Sequence, residues 1–408
     1  MSKLRIIFMG TPDFAVESLR RLVEDGCQVV AVVTMPDKAV GRHHDVLQQS
    51  PVKQYALSQH IPVLQPERLK DEAFLSELRS YQADLQVVVA FRMLPEVVWA
   101  MPRLGTFNLH AALLPQYRGA APINWAIING EKETGITTFF LDHDIDTGQV
   151  IYRQSVPIHD DDDAEAVHDR LMLLGADLVL RTVHDVEAGQ VHPIPQSQLQ
   201  VDGPLRPAPK IFKETCQIRW ADLTSREVYN FVRGLSPYPA AWTTLNGTML
   251  KIYQVQEVNV KCQMSNVKAS NRPIVQLSNC EIVQSSKAAV EREESQTSLN
   301  SSEREQARGE ASNCPIVQLS NCEIVQSSKA AVEREESQTS LNSSEREQAR
   351  GEASNCAPGT LLTDGKTYLR IACREGWVSV LSLQLAGKRR MSIEDFLRGA
   401  HIDAKCVI

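Results

Sequence analysis

The stretch LRIIFMGTPDFAVESLRRLVEDGCQVVAVVTM, residues 4–35, decides the fold. Its two ends are short runs rich in Ile and Val, a pattern typical of parallel strands that are buried on both faces. Between them, residues 12–26 carry apolar positions at helical spacing. The later runs LQVVVAF, TFNLH and GITTFFLD continue the series of strands. The sequence therefore predicts an α/β protein with a doubly wound, mostly parallel sheet.

The ends of these strands are the first places to look for a binding site, because doubly wound sheets bind ligands beyond the carboxyl ends of their strands. The turn MGTPDF after the first strand lacks the GxGxxG spacing, so we expect no dinucleotide there. The candidate segments are residues 10–13, 35–45, 91–94, 110–115 and 142–148.

The second half of the chain changes character. Four aspartates, Asp160–Asp163, precede a long helical pattern, and we interpret them as a helix start and not as a metal site, because acidic groups suit a helix N-terminus. A proline-rich connector and then several short strands with turns follow, which predicts a small OB-like β-barrel. The predicted domains are a catalytic domain (1–190), a linker (191–207) and a C-terminal domain (208–408).

The C-terminal domain is interrupted by a tandem repeat. The same 42 residues occupy 273–314 and 315–356. The copies lack aromatic residues and are rich in Ser, Glu and Gln, so we expect this insert to be disordered.

Charge is distributed unevenly along the 408 residues, whose formal net charge is −7. Residues 1–205 carry −10 and the insert carries −6, whereas the remainder of the C-terminal part carries +9. A basic module of this kind favours a polyanionic partner. None of the nine cysteines forms a CxxC pair, and the short apolar run before Gly10 is unlike a signal peptide. We expect a cytoplasmic monomer that needs no metal.

A polar pair stands out in FNLHAALLPQYRGAAP, residues 107–122. Asn108 and His110 are two residues apart on a predicted strand, so both point to one face, roughly 7 Å apart. The loop DHDIDTGQV after the next strand adds Asp142, Asp144 and Asp146, and we expect it to open at the same sheet edge. An amide, an imidazole and a carboxylate that converge there can carry acyl transfer. A lone histidine at a strand end is more often structural.

A resemblance favours the catalytic interpretation. The chain resembles the methionyl-tRNA formyltransferases, within the formyltetrahydrofolate-dependent formyltransferases. The motifs that carry the resemblance are GTPDFAVESL, SPVKQYA, VVVAFRMLP, FNLHAALLPQYRGAAPINWAIINGE, TGITTFFLDHDIDTGQV, APKIFKE, SPYPAAW and APGTLL. They cover nearly the whole chain apart from the insert. Ala112 departs from the pattern, since the family usually has a serine before Leu-Leu-Pro.

The resemblance implies that 10-formyltetrahydrofolate donates a formyl group to methionyl initiator tRNA. It implies that Asn108, His110 and Asp146 are catalytic, and that residues 36–49 form a mobile loop whose Arg42 meets the tRNA. The residues expected at the folate are Phe91, Arg92, Met93, Leu94, Ala112, Leu113, Leu114, Pro115, Thr138, Phe140 and Asp142. The further candidates for tRNA contact, taken from the basic module, are Lys210, Lys213, Arg233, Lys388, Arg389 and Arg390.

Two alternatives remain open from the sequence. A formyltransferase that acts on a small amine would share the three polar residues but would have no use for a basic module. An RNA-binding protein with a vestigial catalytic domain would keep the basic module, but the intact Asn108, His110 and Asp146 favour an enzyme.

Overall fold

The structure, a computed structural model, describes residues 3–40, 46–201, 203–258, 356–399 and 402. These residues build two sheets, each with its own hydrophobic core. The duplicated insert lies outside the described residues except for Cys356, so the expectation of disorder stays a prediction. Within the described part of the chain, no helix is both long and apolar enough to cross a membrane.

The first sheet has seven strands in the order β5-β2-β1-β6-β7-β8-β9. Its first five strands are parallel, and β8 and β9 are antiparallel to their neighbours, so the predicted fold class is confirmed. The elements of this part, in chain order, are β1 (Arg5–Gly10), α1 (Phe14–Glu24), β2 (Gln28–Val33), β3 (Lys38–Val40), β4 (Val46–Gln48), α2 (Pro51–Ser58), β5 (Val63–Leu64), α3 (Glu72–Ser80), β6 (Leu85–Val89), α4 (Glu96–Trp99), β7 (Thr106–His110), α5 (Pro122–Ile128), β8 (Glu133–Phe140), β9 (Val150–Pro157) and α6 (Ala164–Glu187).

The direction of β8 corrects one expectation. Phe140 pairs with Phe107 and Thr137 pairs with His110, so β8 ends beside the start of β7 and not beside its carboxyl end. The loop after β8 therefore begins at the opposite end of β7 from His110. Its residues 141–146 nevertheless line the same cavity as Asn108 and His110, and Asp146 Oδ2 lies 3.8 Å from His110 Nδ1.

The acidic run before α6 is a helix start, as predicted. The side chain of Asp163 caps α6 by accepting a hydrogen bond from the backbone N–H of Ala166 at 2.9 Å. Asp162 pairs with Arg170 at 2.8 Å, nearly two turns into the helix. Both carboxylates are thus engaged by the protein itself.

The proline-rich connector is fastened to the first domain. The backbone N–H of Tyr117 donates to Arg206 O at 2.7 Å, and the N–H of Ala208 donates to Arg118 O at 2.8 Å. A Cβ on Gly119 would lie 2.3 Å from Ala208 O, so only glycine permits this approach. The connector therefore packs against residues 117–119, which follow β7.

The second sheet is antiparallel, with the path β10-β11-β14-β13-β12 and β15 beside β14. Val228, Val232 and Leu235 of the preceding helix and Phe396 of the last helix pack into its core. The elements are α7 (Ser225–Leu235), β10 (Ala241–Leu245), β11 (Thr248–Val258), β12 (Leu361–Thr363), β13 (Leu369–Ala372), β14 (Trp377–Leu385), β15 (Met391–Ser392) and a last helix, α8 (Ile393–Gly399).

The two domains meet where α5 packs against α7. Asn124 on α5 donates to the carbonyl of Gly234 at 2.7 Å. Arg233 on α7 is buried and donates to the carbonyls of His159 and Asp162 at 3.0 and 2.8 Å. These contacts attach the antiparallel sheet beside the carboxyl end of β7.

Candidate active site

His110 is the last residue of β7 and is only 5% exposed. Its Nε2 lies 2.8 Å from the carbonyl oxygen of Tyr117. A carbonyl can only accept, so Nε2 carries a proton and the ring is held in one orientation. Nδ1 is then free to exchange a proton, and it faces Asp146 Oδ2 at 3.8 Å. That separation exceeds a hydrogen bond, although such pairs often tighten when substrate binds.

Asp146 is held in an uncommon backbone conformation. Its φ is 55°, in the left-handed region that few residues other than glycine adopt. Its Oδ2 accepts a hydrogen bond from the backbone N–H of Gly119 at 2.9 Å. The same oxygen is the one nearest His110. The carboxylate is thereby fixed between the segment after β7 and the imidazole.

Gln196, in the connector, holds the backbone of the Asp146 loop, although no pattern in the sequence indicates this role. It is 5% exposed and donates from Nε2 to the carbonyls of Asp146 and Gly148 at 2.8 and 2.9 Å. Its Oε1 accepts two hydrogen bonds from Arg118, at 3.1 and 2.6 Å. Both donors and both acceptor lone pairs of this buried amide are therefore used, the donors for the loop and the acceptors for Arg118.

Asn108 lies two residues before His110, in the middle of β7, and is partly exposed to the cavity. Among the described residues, its side-chain amide has no hydrogen-bond partner in the protein. The amide can therefore donate to a bound oxygen without first breaking an internal bond.

A cavity of about 680 Å³ joins these three side chains. This volume lies in the range typical of small-molecule sites. Apolar side chains cover much of the wall, and its polar groups include those of Asn108 and His110 on β7 and those of the loop after β8. The residues that line the cavity include Phe91, Arg92, Met93, Leu94, Trp99, Asn108, His110, Ala120, Ala121, Asn124, Asp142 and Asp146.

The chain matches both domains of one enzyme family. The family described as Formyl transferase matches residues 3–183, and its C-terminal domain matches residues 210–291 and 325–401. A methionyl-tRNA formyltransferase of Bacteroides thetaiotaomicron is 49% identical over 401 residues, which cover 97% of this chain and 95% of that protein. The chain belongs to the formyl transferase family.

Other members and a solved structure agree with this assignment. A methionyl-tRNA formyltransferase of Porphyromonas gingivalis (strain W83) is 53% identical over 63% of this chain and 80% of its own length. A crystal structure of HypX from Aquifex aeolicus in complex with tetrahydrofolic acid matches 98% of this chain with a TM-score of 0.52 at 15% identity, which shows a shared fold. This chain spans about half, 49%, of that HypX chain. The family expected from the motifs is thus confirmed.

In this formyl transferase, the cavity includes some of the predicted folate residues and not others. Residues 91–94 and Asp142 line it. Arg92 is tied by its guanidinium to the carbonyls of Pro66 and Glu67, and burial lowers its pKa. Arg92 keeps its charge, and two of its guanidinium nitrogens are committed to these carbonyls.

The other predicted folate residues do not line the cavity. Ala112 and Leu114 are fully buried, and both bond through their backbones to Thr137. Thr138 is buried against Thr182 of α6, with 3.0 Å between the hydroxyl oxygens. Thr138 lies on the face of β8 that packs against α6, and the chain after His110 turns into the core. The expected folate residues that do not line the cavity are Ala112, Leu113, Leu114, Pro115, Thr138 and Phe140.

The basic residues predicted to contact tRNA differ in their exposure. Lys210, Lys213 and Lys388–Arg390 are exposed, as a surface for tRNA requires. Arg233 is 7% exposed and its guanidinium is bonded to carbonyls of the first domain, so it is not presented to tRNA, and the prediction for this residue is corrected. Arg42 lies outside the described residues, and its role stays a prediction.

Proposed function

We propose that this protein transfers the formyl group of 10-formyltetrahydrofolate to the α-amino group of methionine on initiator tRNA. The observation that carries the proposal is the convergence of Asn108, His110 and Asp146 at one end of a ligand-sized cavity. The similarity to curated methionyl-tRNA formyltransferases along nearly the full chain supports the same substrates. The protein would act as a monomer in the cytoplasm.

The chemistry follows from the positions of these groups. The amine nitrogen attacks the formyl carbon, a C–N bond forms, and the carbonyl oxygen becomes an oxyanion. The amide of Asn108 donates to this oxygen, a contribution worth about 3 kcal/mol in comparable sites. The bond from the formyl carbon to the folate nitrogen then breaks, and that nitrogen receives a proton.

His110 is the group suited to move that proton. The incoming amine loses one proton and the leaving folate nitrogen gains one, so a single imidazole can serve both steps. Nδ1 performs the transfer, because Nε2 stays bonded to the carbonyl of Tyr117. Asp146 stabilises the imidazolium that exists between the two steps.

The remaining cavity supplies room for the folate. We assign its ring system to the part of the cavity lined by Phe91–Leu94 and Asp142, and we leave out the six expected residues that do not line the cavity. In this scheme residues 1–190 catalyse the reaction, 191–207 connect the domains, and 208–408 bind the tRNA through Lys210, Lys213 and Lys388–Arg390. Arg42 would meet the acceptor end from its loop.

A comparison of acceptors tests this function. The purified protein is given 10-formyltetrahydrofolate with methionyl initiator tRNA, with free methionine, or with an amino-sugar nucleotide, and kcat/KM is measured for each. We expect the charged tRNA to exceed both small amines by at least about 100-fold. A higher kcat/KM for a small amine would overturn the proposal, because the basic domain would then have no part in recognising the acceptor.

A further inference from the structure

Tyr117 has an uncommon backbone conformation for a bulky residue. Its φ is 59°, in the left-handed region where an aromatic residue is rare. Its carbonyl oxygen is the atom that holds the His110 ring, at 2.8 Å from Nε2. An uncommon conformation persists only where the surroundings hold it. The groups that hold Tyr117 therefore also decide where this carbonyl lies.

The side chain of Tyr117 is anchored at the tip of its ring. The residue is 5% exposed and packs in the core of the first domain. Its hydroxyl donates to Glu131 Oε1 at 2.5 Å and accepts from Asn129 Nδ2 at 3.2 Å. Burial and the hydrogen bond to Glu131 raise the pKa of Tyr117, so the hydroxyl keeps its proton and remains a donor.

Arg206 of the connector completes this anchor. Its Nη1 donates to Glu131 Oε1 at 2.9 Å, so the oxygen that accepts from Tyr117 is itself held by a cation. The backbone carbonyl of Arg206 accepts from the N–H of Tyr117 at 2.7 Å. Arg206 therefore holds the backbone of Tyr117 directly and its hydroxyl through Glu131.

The carbonyl of Tyr117 competes with Asp146 for the one ring proton of neutral His110. A carboxylate is the stronger acceptor, but Asp146 Oδ2 is 3.8 Å from Nδ1, whereas the carbonyl is 2.8 Å from Nε2. With the proton on Nε2, Nδ1 has a free lone pair and can take a proton from the amine. With the proton on Nδ1, it cannot. The position of this carbonyl thus decides which ring nitrogen can act as the base.

We propose that Tyr117 and Glu131 are positioning residues for formyl transfer. Their side chains, together with Arg206, keep the His110 ring in the tautomer whose Nδ1 accepts the proton. Neither side chain lines the catalytic cavity, so both act through the backbone of residue 117 and not on a substrate. This inference rests on the proposed function and deepens it, since it states what holds the catalytic ring ready for the amine.

The test uses Tyr117→Phe, which keeps the buried ring and removes only the hydroxyl, and Glu131→Ala, which removes the acceptor. Glu131→Gln retains an oxygen that can accept from both Tyr117 and Arg206. Tyr152→Phe is the matched control, because the Tyr152 hydroxyl also donates to a carboxylate, Asp185 Oδ2 at 2.6 Å, and Tyr152 does not line the cavity.

The measurements are kcat, the KM for each substrate, and the tautomer of His110. The tautomer is read from the ¹⁵N chemical shifts of the imidazole nitrogens in alkaline buffer, and the signal lost in His110→Ala identifies the ring. We expect Tyr117→Phe and Glu131→Ala to lower kcat by about five- to 50-fold and to give a mixture of His110 tautomers, with both KM values within twofold. This loss is smaller than the ~10⁴-fold that a wrong tautomer costs in a Ser-His-Asp triad, because the carbonyl of Arg206 still holds the backbone.

Glu131→Gln and Tyr152→Phe should keep kcat within threefold of the parent. The positioning role is refuted if Tyr117→Phe keeps kcat within twofold, or if it loses kcat while His110 keeps the tautomer of the parent. An equal loss in Tyr152→Phe would also refute it, because the loss of any bond between a phenol and a carboxylate would then suffice. The proposed function fails only if the parent protein does not formylate the charged tRNA.

Discussion

Replacing Gln196 with alanine tests how the catalytic carboxylate is held. The substitution removes two hydrogen bonds to the carbonyls of Asp146 and Gly148 and the acceptor of Arg118. Groups left unpaired in a buried site cost about 1–3 kcal/mol each, and the carbonyls keep a second lone pair, so we expect the free energy of unfolding to fall by about 2–4 kcal/mol.

The larger effect should be on turnover. Asp146 occupies a left-handed conformation that costs about 1–2 kcal/mol, and without Gln196 its loop can relax. A displacement of 1 Å in a catalytic group can cost about 100-fold in rate, so we expect kcat to fall by about 10- to 100-fold. The KM for tRNA should change little, because Gln196 is buried in the connector and does not line the cavity.

Two further variants identify the cause. Gln196→Glu keeps an acceptor for Arg118 but cannot donate to the two carbonyls, so it should lose kcat as the alanine variant does. Gln198→Ala, an exposed residue of the same short helical turn, should behave as the parent does. The assays are steady-state formyl transfer at 25 °C and urea unfolding. A Gln196→Ala protein that is destabilised yet keeps kcat within threefold would refute the positioning role.

Three other perturbations follow from the structure. Arg233→Met removes the side-chain donor to the buried carbonyl of Asp162 and one of two donors to the carbonyl of His159. It should lower the free energy of unfolding in urea by about 1–3 kcal/mol, and a loss below about 0.5 kcal/mol would contradict the domain contact. For Asp162, burial raises the pKa, but hydrogen bonds from Arg170 and the backbone of His159 lower it by more, so its stabilisation is present above the unfolded pKa and is lost as pH falls through the folded value. Arg170→Leu should therefore destabilise the protein more at pH 7 than at pH 3 in urea titrations, and an equal loss at both would refute the pairing. Charge reversal of Lys388–Arg390 should raise the KM for tRNA and flatten its salt dependence, and an unchanged salt slope would remove these residues from the tRNA surface.

The sequence predicted the fold because its signals are local. The apolar runs of β1, β2 and β6 and the periodicity of α1 and α6 identify the elements without tertiary information. The direction of β8 was not predictable in this way, since an apolar run has the same pattern whether it pairs parallel or antiparallel. Ala112–Pro115, Thr138 and Phe140, which were predicted to bind the folate, do not line the cavity in this structure, and their role stays a prediction.

The sequence indicated the polar residues of the site, but it did not indicate the buried residues that hold them in position. Asn108 and His110 could be found because polar residues interrupt a buried strand. Gln196 carries no local signal, because a glutamine among prolines resembles any connector, and only tertiary contacts bury it. Arg233 resembled the other basic residues, and its burial depends on the packing of α7 against the first domain.

The central claim is that His110 moves the proton during formyl transfer to the charged tRNA. The most direct measurement is the single-turnover rate of N-formylmethionyl-tRNA formation, with enzyme in excess and folate saturating, for the parent and for His110→Ala. The account predicts a rate at least about 100-fold lower in the variant, since general acid–base catalysis contributes about 10²- to 10⁴-fold. A folded His110→Ala protein whose rate stays within threefold of the parent would contradict it.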